Sequence, residues 1–103
     1  MKRRRQPESG KLDRQAQQAA ATELAIAALT FIAEEPARLG HFLALSGIGP
    51  ELLRTAAREP DFLLGVLDHL VGDEALLLAF AEQSAIDPLD VTRARDVLAG
   101  DTP

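Results

Sequence analysis

Few side chains in this 103-residue chain could do chemistry, and their spacing decides how far each goes. His41 and His69 are the two histidines. His69 stands beside Asp68 and four residues before Asp73, a pairing that suggests a general base or a metal fragment. Gly72 falls between His69 and Asp73 and breaks the helical spacing that would align them. No His-x-x-x-His or Glu-x-x-His spacing occurs, and a metal site needs three or four ligands. Both histidines are therefore expected at the solvated surface. The adjacent acids Glu34-Glu35 and Asp73-Glu74 do not converge on one substrate, because neighbours on a helix point about 100° apart. Ser9, Ser46 and Ser84 lie in no nucleophile-elbow pattern, and no phosphate-cradling glycine loop with its lysine is present. Cysteine is absent, which removes disulfides, thiolate nucleophiles and zinc–thiolate sites. The expectation is a protein that is not an enzyme, with no catalytic residue, no metal, no cofactor and no small-molecule substrate.

One segment could bind phosphate. Phe42-Leu43-Ala44-Leu45-Ser46-Gly47-Ile48-Gly49-Pro50-Glu51-Leu52-Leu53 resembles the hairpin of helix-hairpin-helix DNA-binding motifs. There a Gly–aliphatic–Gly turn brings backbone N–H groups and a helix N-terminus up to a DNA phosphate. Gly47, Ile48 and Gly49 match the turn, and Leu45 and Pro50 match its flanks. Glu51 stands where a basic or neutral residue is usual, and Leu53 where a small one is. Arg54 and Arg58, four apart, could add positive charge on one face. The other reading of the same residues is a capping glycine followed by a proline helix start.

Charge is unevenly distributed. Residues 1–15 hold six basic groups (Lys2, Arg3, Arg4, Arg5, Lys11, Arg14) against Glu8 and Asp13, a net of +4. The whole chain is −5, so residues 16–103 carry −9. Such a body repels polyanions while the basic tail attracts them. The tail does not open a signal peptide, since no apolar stretch follows it until Leu24. The ten-residue apolar run Leu24–Ala33 is too short to cross a bilayer, so no membrane role is expected.

The elements that would position these residues are all helical. Alanine and leucine dominate, aromatics are limited to Phe31, Phe42, Phe62 and Phe80, and nothing alternates over a strand length. The chain is 47% hydrophobic and long enough for one core. Residues 1–11 read as a disordered basic tail and residues 12–100 as a single domain. A long first helix is predicted from about Leu12 to Glu35, ended by Pro36. Further helices follow over about Pro36–Leu45, Pro50–Arg58, Asp61–Val71, Glu74–Ser84 and from Asp87-Pro88 to Gly100. Asp73 and Asp87 are placed as N-caps, and Gly72 and Gly100 as stops. The unbroken apolar runs Leu24–Ala33 and Ala75–Ala81 mark the first and fifth helices as the central ones, covered on several sides. The expected fold is an all-α, compact single-domain bundle of about six helices with short loops.

Residues from about Leu24 to Leu98 resemble a family of small helical bacterial proteins known as domain of unknown function family 3572. The residues that carry the likeness are Ala28-Leu29, Phe31-Ile32-Ala33, Phe42-Leu43-Ala44-Leu45-Ser46-Gly47, Phe62-Leu63, Val66-Leu67, Asp73-Glu74, Leu77, Ala79-Phe80-Ala81, Pro88 and Ala94. The resemblance implies a small helical protein and transfers no activity. The leading functional expectation is a non-catalytic cytoplasmic protein that binds another protein or itself. The alternative is weak nucleic-acid binding through residues 42–57 and the tail.

Overall fold

Four of the six prolines set the helix starts. Pro36, Pro50, Pro60 and Pro88 each open a helical segment, where the missing N–H costs nothing and the fixed φ is already helical. A computed structural model describes residues 8–100. The order is α1 (Glu8–Ala33), α2 (Pro36–Ser46), a 3₁₀ turn (Pro50–Leu52) running into α3 (Leu53–Ala56), α4 (Pro60–Val71), α5 (Glu74–Ser84) and α6 (Pro88–Ala99). There is no strand among the described residues.

Caps complete the punctuation. The Asp73 carboxylate accepts from the Leu76 N–H at 3.1 Å and the Asp87 carboxylate from the Leu89 N–H at 2.9 Å. Gly47 ends α2 and Gly100 ends α6 in the left-handed region, at φ 74° and 76°, which a side chain disfavours. Two boundaries differ from the sequence expectation. Helix α1 begins at Glu8 rather than near Leu12, so Ser9 and Gly10 are helical. Pro7 stands immediately before it, a residue that helices tolerate only at their first turn. The basic run Lys2–Arg5 lies outside the described residues. The third helix is also shorter than the expected Pro50–Arg58. Pro60 forces Glu59 into extended backbone at φ −92°, ψ 126°, so the chain unwinds through Ala57 and Arg58.

The core lies where α4 meets α1 and α6. Leu63, Val66, Leu67 and Leu70 of α4 are buried, facing Ala21, Ala25, Ala28, Leu29, Phe31 and Ile32 of α1 and Val91 and Ala94 of α6. Each large apolar side chain so buried contributes roughly 1.5–3 kcal/mol before entropy is subtracted. Phe80 of α5 closes one end, its ring 5.4 Å from that of Phe31. The Arg38 guanidinium caps this pair, 4.0 Å above the Phe31 ring, while its Nη1 donates to the Phe31 carbonyl at 2.7 Å.

The central helix is thus α4, which corrects the expectation for the fifth helix. On α5 only Phe80 and Ala81 are buried, and Leu78 is 48% exposed. Its run of apolar residues is mostly alanine on the outer side, and small residues lose little by facing water. Helix α1 is likewise covered along one face only, with Ile26 44% exposed. The stretch Asp13–Ala33 is long and apolar enough to cross a membrane by composition, longer than the ten-residue run the sequence suggested. Its large side chains at Leu29, Phe31 and Ile32 are buried in the core.

Length mismatch shapes the rest. Helix α1 has 26 residues and α4 and α6 have 12 each. At 1.5 Å per residue α1 is about 21 Å longer than either. Every residue from Asp13 to Ala20 is exposed, and burial begins at Ala21. This run, Asp13–Ala20, is the arm of the molecule, bordered by α6 at Gln17 and Ala20.

Replacing the fully buried Leu67 with alanine is expected to lower unfolding free energy by about 2–5 kcal/mol in urea titrations. Leu78→Ala on the outer side of α5 should cost under about 1 kcal/mol. Equal losses for the two would contradict the placement of α4 inside and α5 outside.

Candidate functional site: a groove between two helices

The turn at Gly47–Gly49 forms as a cap and a start. The Gly47 N–H donates to the Leu43 carbonyl at 2.9 Å, which closes α2 and engages the first of the turn's donors. Gly49 has an ordinary extended backbone, at φ −77°, ψ 153°. The Glu51 carboxylate folds back over Gly49, so near that a Cβ there would lie 2.6 Å from Oε2. A phosphate approaching this turn meets a negative charge. Ile48 is half-buried and faces the opposite way, towards α4. Arg54 and Arg58 do not share a helix face, since α3 ends at Ala56. Arg54 instead borders a hollow of about 520 Å³ with Leu29, Ala33 and Pro50, and Arg58 is exposed in the turn before Glu59.

A different constellation forms between α2 and α4. The phase of α4 lines up Asp61, Gly65 and His69 at successive fourth positions, with Phe62 and Asp68 beside them. Helix α2 presents His41 and Leu45 on one side, with Phe42 at the base. Two adjoining hollows of about 410 and 490 Å³ share Leu45, Asp68 and His69, and together make one groove. Its apolar surface comes from Phe42, Leu45, Ile48 and Phe62, and its rim from Asp61, Asp68, Asp73 and Glu74. Leu45 is 66% exposed, the most of any large apolar residue described. At Gly65, in the middle, an added Cβ would find nothing within 4 Å.

His69 is half-buried on this wall, which differs from the fully solvated position expected for it. Its ring sits edge-on to Phe42, with centroids 5.1 Å apart, and 5.8 Å from the ring of His41. Burial pushes the His69 imidazole below the ordinary histidine value, repulsion from His41 adds to this, and the Asp73 carboxylate opposes it. The two acids that sequence paired with His69 have other partners. Asp68 accepts from Arg95 Nε of α6 at 2.7 Å, and Asp73 caps α5. Among the described residues no group of three or more His, Asp or Glu side chains is placed to hold a metal ion.

No local pattern signals that His41 and His69 meet, because they are 28 positions apart on helices joined through a turn and α3. A usable signal did exist in Asp61, Gly65 and His69. Their spacing of four places a glycine inside an otherwise strong helical pattern, where it costs about 1 kcal/mol relative to alanine.

A small all-α protein with an uncovered helical arm and an acid-rimmed apolar groove is the class that this geometry defines. The chain belongs to the family described as Protein of unknown function (DUF3572), whose family model matches residues 18–101. No curated protein and no solved structure matches it.

The depressed His69 value has a consequence for stability. The folded state binds this proton less tightly than the unfolded chain, so stability is present above the unfolded value of 6.5 and declines as pH falls below it. Urea midpoints taken at about pH 7.5 and about pH 5.5 should drop for the natural chain, and drop less for His69→Gln. Equal drops would mean that His69 is not desolvated in the folded state.

Proposed function

We propose that this is a non-catalytic bacterial protein of the cytoplasm that acts by binding protein, either a second copy of itself or a different chain. The observation that carries this reading is the arm, the run Asp13–Ala20, every residue of which is exposed although Gln17 and Ala20 lie beside the α6 residues Arg93 and Val97. An isolated helix of that length is marginal in water, so an arm of this kind gains most from a partner laid along it. Exposed large apolar side chains add to the reading. Ile26 lies further along the same helix, and Leu45, Leu52, Leu78 and Leu89 lie on four other segments.

Chemistry has less support. The histidines meet each other and a phenylalanine, and the nearest acids serve as an ion-pair partner and a helix cap. Binding to a phosphate backbone is opposed by the −9 body and by the Glu51 carboxylate against Gly49.

The test uses the arm. Ala16→Glu with Ala19→Glu adds charge to exposed positions and should leave the thermal midpoint within a few degrees of the natural chain. Light scattering across rising concentration, together with capture from the native host's lysate, should show a specific partner or self-association that the double variant loses. A natural chain and a double variant that behave alike in both measurements would sink this reading.

A further inference from the structure

The groove and the N-terminal arm are complementary in charge and in shape. Residues 1–15 carry +4 and the remainder −9. Between Lys2 and Glu23 the arm has a single large aliphatic residue, Leu12, which lies between Lys11 and Asp13 with Arg14 next, and the basic run Lys2–Arg5 precedes it. The groove offers the counterpart, an open floor over Gly65 between Leu45, Ile48 and Phe62. Its rim holds Asp61, Asp68, Asp73 and Glu74. Asp61 and Glu74 are exposed, and each stands in the first turn of its helix.

Building on the protein-binding reading above, we propose that the N-terminal arm of one copy of this chain docks in the α2–α4 groove of a second copy. Its basic residues meet the acidic rim, and Leu12 fills the space over Gly65. The occupant is a second copy because α1 is one continuous helix from Glu8 to Ala33. Leu12 therefore stands about 18 Å along a rigid rod from Leu24, directed away from its own bundle. A two-fold exchange of arms makes the contact twice and buries the uncovered half of α1. Opposite charges on arm and groove favour this register over other pairings of copies, and the attraction weakens as salt rises.

Sedimentation of the full chain at low salt tests the contact. A reversible dimer is expected that weakens by about tenfold or more on raising salt to physiological strength and beyond. The same loss is expected in K2Q/R3Q/R4Q/R5Q, which neutralises the arm, and in Gly65→Leu, which fills the groove floor. Asp61→Lys, an exposed change that leaves the core untouched, should weaken the dimer while the chain stays folded, its melting midpoint lowered by only a few degrees because a cation now sits in the first turn of α4. This third variant keeps the proposal testable if Gly65→Leu disturbs folding. Mixing the neutral-arm chain with Gly65→Leu should restore a dimer that neither forms alone, because one retains the groove and the other the arm. Failure of the mixture to associate, or a dimer that persists in Gly65→Leu and Asp61→Lys, would overturn the arm-in-groove contact and leave the broader protein-binding reading standing. A chain that stays monomeric at every concentration would overturn the contact as well, whereas the broader reading falls only with the Ala16/Ala19 test.

Discussion

Four side chains on one short helix hold this molecule together. Leu63, Val66, Leu67 and Leu70 of α4 are between 0 and 3% exposed, and they are buried because α1 and α6 close over them. The opposing surfaces mix small and large residues, Ala21, Ala25 and Ala28 beside Leu29, Phe31 and Ile32 on α1, and Ala94 beside Val91 on α6. The leucines and valine of α4 fill the space between these two surfaces. A row this short can anchor only a matching length of its neighbours. Helix α1 is more than twice as long as α4, so part of it has to leave the bundle. The arm is a consequence of that mismatch.

Electrostatics follow from the same arrangement. Beyond residue 15 the chain has five arginines, and three of them are engaged within the body: Arg38 with Glu35, Arg93 with Asp90, and Arg95 with Asp68 and Asp96. The Arg95–Asp68 pair joins α6 to α4 across the top of the core, and Gln83 reaches Glu34 at 3.0 Å to tie α5 to the end of α1. These pairs lie at the surface, where each contributes at most about 1 kcal/mol. They use up cations in a body already at −9, and on the groove rim, where Arg95 pairs with Asp68, it is Asp61 and Glu74 that carry the exposed negative charge. The excess positive charge sits at the other end of the molecule's sequence.

How much of this could be read from the residues depended on whether the determinant was local. Proline starts, the Asp73 and Asp87 caps and the Gly47 and Gly100 stops are decided within a turn of backbone, and each was legible before any coordinates. The choice of central helix was not. The run Ala75–Ala81 is more uniformly apolar than α4, which contains Gly65, Asp68 and His69, yet α4 is the one inside. Burial is decided by which helix has partners on two sides: α4 is covered by both α1 and α6, whereas α5 packs through Leu76, Leu77, Phe80 and Ala81 and leaves Ala75, Leu78 and Ala79 exposed. The groove was equally hidden. The Gly47–Gly49 pattern is compact in sequence, while the α2–α4 groove is assembled from residues spread between His41 and Glu74.

Gly65 sets the shape of the groove floor. In the interior of α4 a glycine costs roughly 1 kcal/mol against alanine, and here an alanine would meet no atom within 4 Å. The chain's own packing therefore gives no reason for a glycine at this position, and the fold would be more stable with a side chain there. What the glycine provides is room above the α4 backbone, bounded by Leu45, Ile48 and Phe62. Gly40 on α2 is equally free of neighbours, but it borders neither hollow of the groove and creates no enclosed space. Room between apolar walls is itself unfavourable to maintain in water, because the walls stay hydrated until something apolar enters. A helix interior weakened by a glycine and an apolar floor left wet both lower the stability of the isolated chain, and both are relieved by one event, the entry of an aliphatic side chain from outside.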